Sequence, residues 1–172
     1  MKPVTRDDPS LQAWAALMEA QSSVVEGVEA ELLAETDLPL AWHEVLVRLA
    51  RADDGAMRMQ ELARSVLLSK SGLTRLADRM QRAGLIERRS CPSDRRGTLA
   101  VVTDRGRVAL DRAAPVFLRA VDAHFARHLG VREMQSLRQI LRKVTTGNGR
   151  QGEDECAPEH LGPRPATSAS IG

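Results

Sequence analysis

Apolar residues recur along most of this chain at the three- and four-residue spacing of an α-helix. The first such segment starts at Ser10, a residue type that caps helix N-termini, and fades near Asp37. A second segment runs from Pro39 to about Arg51, and the polar residues 53–55 end it. The first third of the chain is therefore predicted to form two helices.

The middle of the chain is predicted to form two short helices and a β-hairpin. The first helix spans roughly residues 59–66, and the second begins after Ser69 and ends at about Arg82, with Gly84 as a left-handed cap. Strand-forming residues then cluster at 85–89 and 98–102, separated by the polar turn at 90–97.

The rest of the chain is again predicted to be helical. Thr103 caps a long helix to about Leu129, with Pro115 inside it, and a last helix covers residues 131–144. Residues 1–9 are polar and hold two prolines, so we expect a flexible arm there. Residues 147–172 are rich in small residues and almost empty of large apolar groups, so we expect a disordered tail. The fold class is mainly α.

The second short helix has two chemically distinct faces. Its apolar face holds Leu73, Leu76, Ala77 and Met80. The opposite face is polar and holds Lys70, Ser71, Thr74, Arg75, Asp78, Arg79 and Arg82. A recognition helix needs one face for the protein and another with donors for base edges. An ordinary amphipathic surface helix would have the same pattern.

Charge is unevenly distributed along the chain. The net charge is only +2, yet residues 1–57 carry 11 acidic and 4 basic groups, whereas residues 70–107 carry 10 basic and 4 acidic groups. A basic segment favours a polyanionic partner through release of counterions. A solvated arginine-rich surface is the alternative. At the predicted hairpin tip, Asp94 could hold Arg96 in one rotamer for insertion into a minor groove, or the two could form an exposed ion pair of little consequence.

The segment from Leu67 to Arg107 resembles the MarR family of bacterial transcription regulators. The most specific part is residues 94–97 (Asp-Arg-Arg-Gly), followed by a strand and then residues 103–106 (Thr-Asp-Arg-Gly). The resemblance implies a winged helix-turn-helix fold with a small β-hairpin wing and a helical dimerisation region. It implies a homodimer that binds pseudo-palindromic double-stranded DNA, normally as a repressor.

The resemblance also implies a domain organisation and a set of DNA-binding residues. The winged DNA-binding lobe would be residues 58–103, and dimerisation helices would lie in 10–57 and 104–146. Arg75 would contact a guanine and Arg96 a minor groove. The implied DNA-binding residues are Ser69, Lys70, Ser71, Thr74, Arg75, Arg79, Asp94, Arg95 and Arg96.

Many members of this family are released from DNA by a small aromatic or acidic ligand. The candidate ligand-binding residues here are Trp14, Met18, Trp42 and His43, with Arg48 or His124 as further possibilities. The alternatives are that the two tryptophans are core or dimer-interface anchors and that His43 is a capped surface group. Trp14, Arg75 and Arg88 could also match an anion-sensing pattern, although His43 replaces its acidic residue.

Other functional classes find less support in the sequence. Cys91 and Cys156 are too few for a disulfide framework or a zinc site, although a Cys-based redox-sensing regulator is an alternative. No catalytic spacing is present, so we expect no enzyme, cofactor or metal. A protein-docking winged helix would need no basic face, and RNA readers use aromatic residues that 58–107 lacks. Without a signal peptide or membrane span, the expected location is the cytoplasm.

Overall fold

The computed structural model describes residues 8–66, 70–91 and 94–148, and the side chains of Lys70 and of residues 94–96 lie outside that description. The chain divides into two units after His128. The first unit contains helices α1 (Pro9–Thr36), α2 (Leu40–Arg51), α3 (Met59–Ser65), α4 (Lys70–Arg82) and α5 (Asp104–His124), strands β1 (Ala56–Arg58), β2 (Ile86–Cys91) and β3 (Asp94–Val102), and the short 3₁₀ helices Asp53–Gly55 and Ala126–His128. The second unit contains α6 (Val131–Gly147). The mainly α fold class is confirmed.

The small sheet is antiparallel and has the order β1-β3-β2. The predicted hairpin is present as β2 and β3, but both strands extend further toward the tip, so Cys91 and residues 94–97 belong to strands rather than to a turn. Strand β1 was not predicted. It is only three residues long and is held by pairing with β3, from Ala56 opposite Val101 to Arg58 opposite Leu99.

The core of the first unit is assembled from every predicted helix of the first two thirds of the chain. The predicted apolar face of α4 is confirmed, because all four of its members are buried. They join fully buried side chains from α1, α2, α3 and β2, among them Leu32, Leu46, Leu49, Leu62 and Ile86. Burial of such side chains is the main contribution to the stability of the first unit.

Two helix starts differ from the prediction. Asp8, not Ser10, caps α1, since its Oδ1 accepts hydrogen bonds from the Ser10 backbone N–H (2.9 Å) and hydroxyl (2.6 Å). The helix therefore begins at Pro9, which tolerates the first turn because no backbone N–H is needed there. Helix α2 begins at Leu40, whose N–H is satisfied by Glu29 Oε2 of α1 at 2.9 Å.

Two predicted helix caps are confirmed and one helix end is corrected. Gly84 has a φ of +72°, and the bonds from Gly84 N to the Gln81 carbonyl (2.9 Å) and from Leu85 N to the Met80 carbonyl (3.0 Å) close α4. Thr103 Oγ1 accepts from Gly106 N at 3.0 Å and so caps α5. However, α5 ends at His124 rather than near residue 129, because the next residue leaves the helical φ/ψ region.

The Thr103–Gly106 segment joins α5 to the sheet and to the end of α4. The Thr103 hydroxyl donates to the Gly84 carbonyl at 2.7 Å, and the Thr103 N–H donates to the Leu85 carbonyl at 3.1 Å. A Cβ on Gly106 would collide with the Leu85 carbonyl oxygen and would lie 3.0 Å from Val102 Cγ2. Glycine is therefore needed here for close approach of two backbone segments rather than for an unusual φ.

The chain termini are partly described. Pro9 was predicted to belong to the arm and Gly147 to the tail, but Pro9 is the first residue of α1 and Gly147 is the last residue of α6. The remaining predictions for the two ends concern residues 1–7 and 149–172, which lie outside the described residues. Within the described ranges, no helix combines the length and the apolar character needed to cross a membrane.

Candidate nucleic-acid interface

Helix α4 presents a polar face opposite its buried one. Ser71, Thr74, Arg75, Arg79 and Arg82 are exposed, so the structure places these sequence-predicted residues on one accessible surface. The helix is well supported from behind, since Leu73, Ala77 and Met80 are at most 1% exposed. A rigid helix with a cationic outer face is suited to contact phosphates and base edges.

Asp78 is an exception on this polar face. Its Oδ1 lies 2.5 Å from Nη1 of Arg88, a residue of β2. The other terminal nitrogen of Arg88, Nη2, donates to the backbone carbonyl of Thr74 at 3.0 Å. The anion-sensing pattern required Arg88 to be available to a ligand, whereas here both of its terminal nitrogens contact α4.

The sequence contained a signal for this contact. Side chains alternate between the two faces of a strand, so Arg88 shares a face with Ile86, which is 1% exposed. Since Ile86 is buried in the structure, Arg88 starts from the inward face of β2, and the sequence alone did not show that α4 packs on that face. The next arginine, Arg89, lies on the other face of β2 and pairs with Glu87 of the same strand.

Several predicted DNA-binding residues can be located only by their backbone. Lys70 is the first residue of α4, and Asp94, Arg95 and Arg96 are the first residues of β3. Their side chains are not described, and Ser69 lies outside the described residues. Asp94, Arg95 and Arg96 therefore lie in strand β3, beside β2, and not in the polar turn that was predicted.

Cys91 lies at the end of β2, where the ladder has a β-bulge between Ser90 and Cys91. Its side chain is buried, with 7% exposure, although strict alternation would place it on the same face as the exposed Arg89. A bulge can redirect a side chain in this way. The thiol is therefore shielded from solvent, which disfavours the redox-sensing alternative for Cys91. Cys156 lies outside the described residues.

The four candidate ligand residues have unlike surroundings. Trp14 and Met18 of α1 are exposed, Trp14 by 59%, so Trp14 is not a core residue of this chain. Trp42 of α2 is half-buried, and its ring Nε1 has no hydrogen-bond partner among the described residues. His43 is buried. The assignment of these four residues to a ligand site therefore stays a prediction.

His43 is not the capped surface group that was the alternative to a ligand contact. It is 4% exposed, and its ring stacks on Phe117 of α5 with the ring centroids 4.3 Å apart and an interplanar angle of 29°. Burial lowers the pKa of His43 to about 4, because a charged imidazole would lose its hydration there. His43 is therefore neutral at physiological pH and supplies no positive charge for a carboxylate ligand.

An open groove of about 590 Å³ lies between α1 and α5, and none of the four candidate ligand residues lines it. Its walls are charged and internally paired: Arg119 contacts Glu35 at 2.8 Å, and Arg127 contacts Asp122 at 3.6 Å. His124, a further candidate, hydrogen-bonds to Glu31 at 2.7 Å and packs on Gly27. Glu31, Leu118, Arg119, Asp122, Ala123 and Arg127 line the groove.

Comparisons with known proteins converge on one family. The MarR family model matches residues 36–97. The chain is similar to Sco3205, a MarR family transcriptional regulator from Streptomyces coelicolor solved in complex with DNA, at 30% identity over 88% of this chain and 97% of that one, with a TM-score of 0.78. AbsC, a MarR family regulator from the same organism, matches at 29% identity over 87% of this chain and all of its own, also with a TM-score of 0.78. An HTH-type transcriptional regulator of Bacillus cereus is 28% identical over 114 residues, which are 66% of this chain and 74% of that one.

Proposed function

The chain belongs to the MarR family of transcriptional regulators, and from this premise we propose that it represses transcription as a homodimer bound to a pseudo-palindromic segment of duplex DNA. Regulators of this family are non-enzymatic transcription factors, so the chain is a regulator and not an enzyme. Repression would follow from occupancy, because a dimer seated on a promoter blocks access of the polymerase.

The observation that carries the proposal is the exposed cationic face of α4. In the proposal α4 enters the major groove, Arg75 forms a bidentate contact with a guanine, and Ser71 and Thr74 contact neighbouring bases. Ser69, Lys70 and Arg79 contact phosphates, which set the position of the helix without reading sequence. The related Sco3205 was solved in complex with DNA, which supports DNA as the partner.

The β2–β3 hairpin is the proposed wing. Arg96 would enter the minor groove, where the negative potential is concentrated, with Asp94 orienting it and Arg95 contacting the backbone. The position of all three at the start of β3, beside the tip of the hairpin, supports this role. It also explains why the segment combines three charged residues with little apolar character.

Two helices carry exposed apolar residues that a second copy would cover. Large apolar side chains exposed in a row mark an interaction surface. On α1 the exposed residues are Leu11, Trp14, Met18 and Val25, and on α6 they are Val131, Ile140, Leu141 and Val144. We assign both sets to the homodimer, with residues 10–57 and 104–146 as the dimerisation regions and 58–103 as the DNA-binding lobe. A two-fold dimer would place two recognition helices about 34 Å apart on one face of DNA.

Release by a small ligand is the remaining part of the proposal. A ligand lowers DNA affinity only if it binds better to a dimer whose lobes are spread apart. Trp14, Met18, Trp42 and His43 are the proposed contacts. Trp42 Nε1 and His43 Nδ1, which have no hydrogen-bond partner among the described residues, would gain hydrogen bonds from the ligand. Because His43 is neutral, an acidic ligand would need another cation. Arg48 is the candidate, since its buried Nε has no hydrogen-bond partner in the part of the chain that the structure describes.

A binding experiment tests the role of α4. The probe is a duplex selected by the purified protein from a random pool, with a scrambled duplex of equal composition as the reference. Arg75→Ala should weaken binding to the selected duplex by about 1–3 kcal/mol and to the scrambled duplex by much less. Arg150→Ala, which removes an arginine outside the lobe and outside both proposed dimerisation regions, is the matched control and should change neither. Equal losses on both duplexes would reduce Arg75 to a phosphate contact.

A further inference from the structure

Arg88 connects the wing strand to the recognition helix. Its side chain is only 25% exposed, and it crosses from β2 to α4. One terminal nitrogen contacts the Asp78 carboxylate at 2.5 Å and the other contacts the Thr74 carbonyl at 3.0 Å. Thr74 and Asp78 are four residues apart and so lie on one face of α4, one turn above the other. The planar guanidinium of Arg88 therefore contacts two successive turns of α4.

The contact also accounts for a carboxylate on a surface proposed to bind a polyanion. Without a partner, Asp78 would repel phosphates and weaken binding. Paired with Arg88, its charge is balanced within the protein. The four-residue segment from Glu87 to Ser90 contains a second arginine, Arg89, but that residue pairs with Glu87 on the other face of β2 and does not reach α4 through any described contact.

We propose that Arg88 is a positioning residue for DNA recognition, acting through Asp78 and Thr74 to fix the angle between the wing and α4. The inference rests on the proposed function, since it concerns how two DNA-reading elements are held in register. If α4 enters a major groove and the wing enters a neighbouring minor groove, the relative orientation of the two elements must match the spacing of the grooves. A preset angle avoids the entropy of ordering the wing on the DNA.

Asp78→Asn separates this proposal from a simple charge effect. Removal of a carboxylate near DNA would ordinarily raise affinity, because one repulsive charge is lost. The proposal predicts the opposite sign: affinity for the selected duplex should fall by about tenfold, since the guanidinium loses its charged partner. Glu87→Gln is the matched control, because it removes the same charge from the adjacent strand β2, outside the Arg88–Asp78 contact, and should leave affinity unchanged or raise it.

Substitutions of Arg88 are compared with a control substitution of the next residue, Arg89. Arg88→Met should lower affinity for the selected duplex about as much as Asp78→Asn does, and the double variant should be little worse than either, since both break one contact. The slope of log affinity against log salt should stay unchanged, whereas loss of a phosphate contact reduces it by about one. Arg88→Lys should recover part of the affinity, because one ammonium can keep the Asp78 contact. Arg89→Met is the control for the loss of a positive charge from β2.

Hydrogen exchange of the wing amides, measured without DNA, gives a second readout. Asp78→Asn and Arg88→Met should speed exchange in β2 and β3 while the amides of α1 keep their protection, which also shows that the variants remain folded. If exchange and affinity for the selected duplex both stay at wild-type values, the proposal is overturned although the proposed function stands. If the wild-type protein selects no duplex, the proposed function fails, and a positioning role in DNA recognition fails with it.

Discussion

His43 should make the stability of this protein depend on pH in a predictable way. The buried imidazole stacks on Phe117 and has a pKa of about 4 in the folded chain, against an ordinary value of 6.5. Between these two values the unfolded chain binds more protons than the folded one, so the free energy of unfolding falls as pH decreases. The stability is fully present above about pH 6.5 and is lost progressively down to about pH 4.

The size of the effect follows from the same two values. One pKa unit corresponds to about 1.4 kcal/mol. The difference between 6.5 and about 4 therefore lowers the free energy of unfolding by about 3 kcal/mol when the pH is brought down to about 4. This is a large part of the 5–15 kcal/mol that typically stabilises a domain. Glu44 acts in the opposite direction, because burial raises its pKa and its protonation then favours the folded state.

Urea unfolding at several pH values between 4 and 8 measures this contribution. We would compare wild type with His43→Leu, which cannot titrate, and with His128→Gln, which removes an exposed histidine and serves as the control. Protein concentration must be fixed, since dimerisation shifts apparent stability. The wild-type curve should lose about 3 kcal/mol relative to His43→Leu between pH 7 and pH 4. Glu44 is present in all three proteins, so its contribution to the pH dependence cancels in the comparison. Parallel curves for wild type and His43→Leu would refute the reasoning.

Two further substitutions probe packing and assembly. Gly106→Ala should destabilise the protein by about 1–3 kcal/mol, because the new Cβ meets the Leu85 carbonyl, whereas Gly147→Ala, whose Cβ would meet nothing within 4 Å, should not; thermal unfolding measures both, and equal melting temperatures would contradict the close approach. Trp14→Gln should weaken the proposed homodimer about 100-fold or more, because two-fold symmetry removes the large apolar side chain twice, and a sedimentation experiment that finds an unchanged dimer would place the interface elsewhere.

The sequence predicted those parts of the fold that depend on local chemistry. Helical spacing defined the buried face of α4, and Gly84 and Thr103 were recognised as caps because capping depends on a single residue type. What it missed depends on partners distant in sequence. Strand β1 exists only because Ala56–Arg58 pairs with β3, and the cap of α2 comes from Glu29 in another helix.

Two side chains show how the candidate site could have been read further. His43 was considered either a ligand contact or, from its place near a helix start, a capped surface group. It lies three residues before the buried Leu46, so helical spacing already indicated the core. Arg88 lies two residues after the buried Ile86, which placed it on the face of β2 toward α4. Its pairing with Asp78 needs the packed arrangement of helix and strand, which no single-sequence pattern contains.

The central claim is that a dimer of this chain reads duplex DNA with α4. Its most direct test is an anisotropy titration of the purified protein with the selected and the scrambled duplex across a salt series. The account predicts that the selected duplex binds about 10³-fold tighter or more and that affinity falls steeply with salt, because several phosphates are neutralised. Failure to bind any duplex even at low salt would contradict the account and favour a winged helix that docks onto another protein.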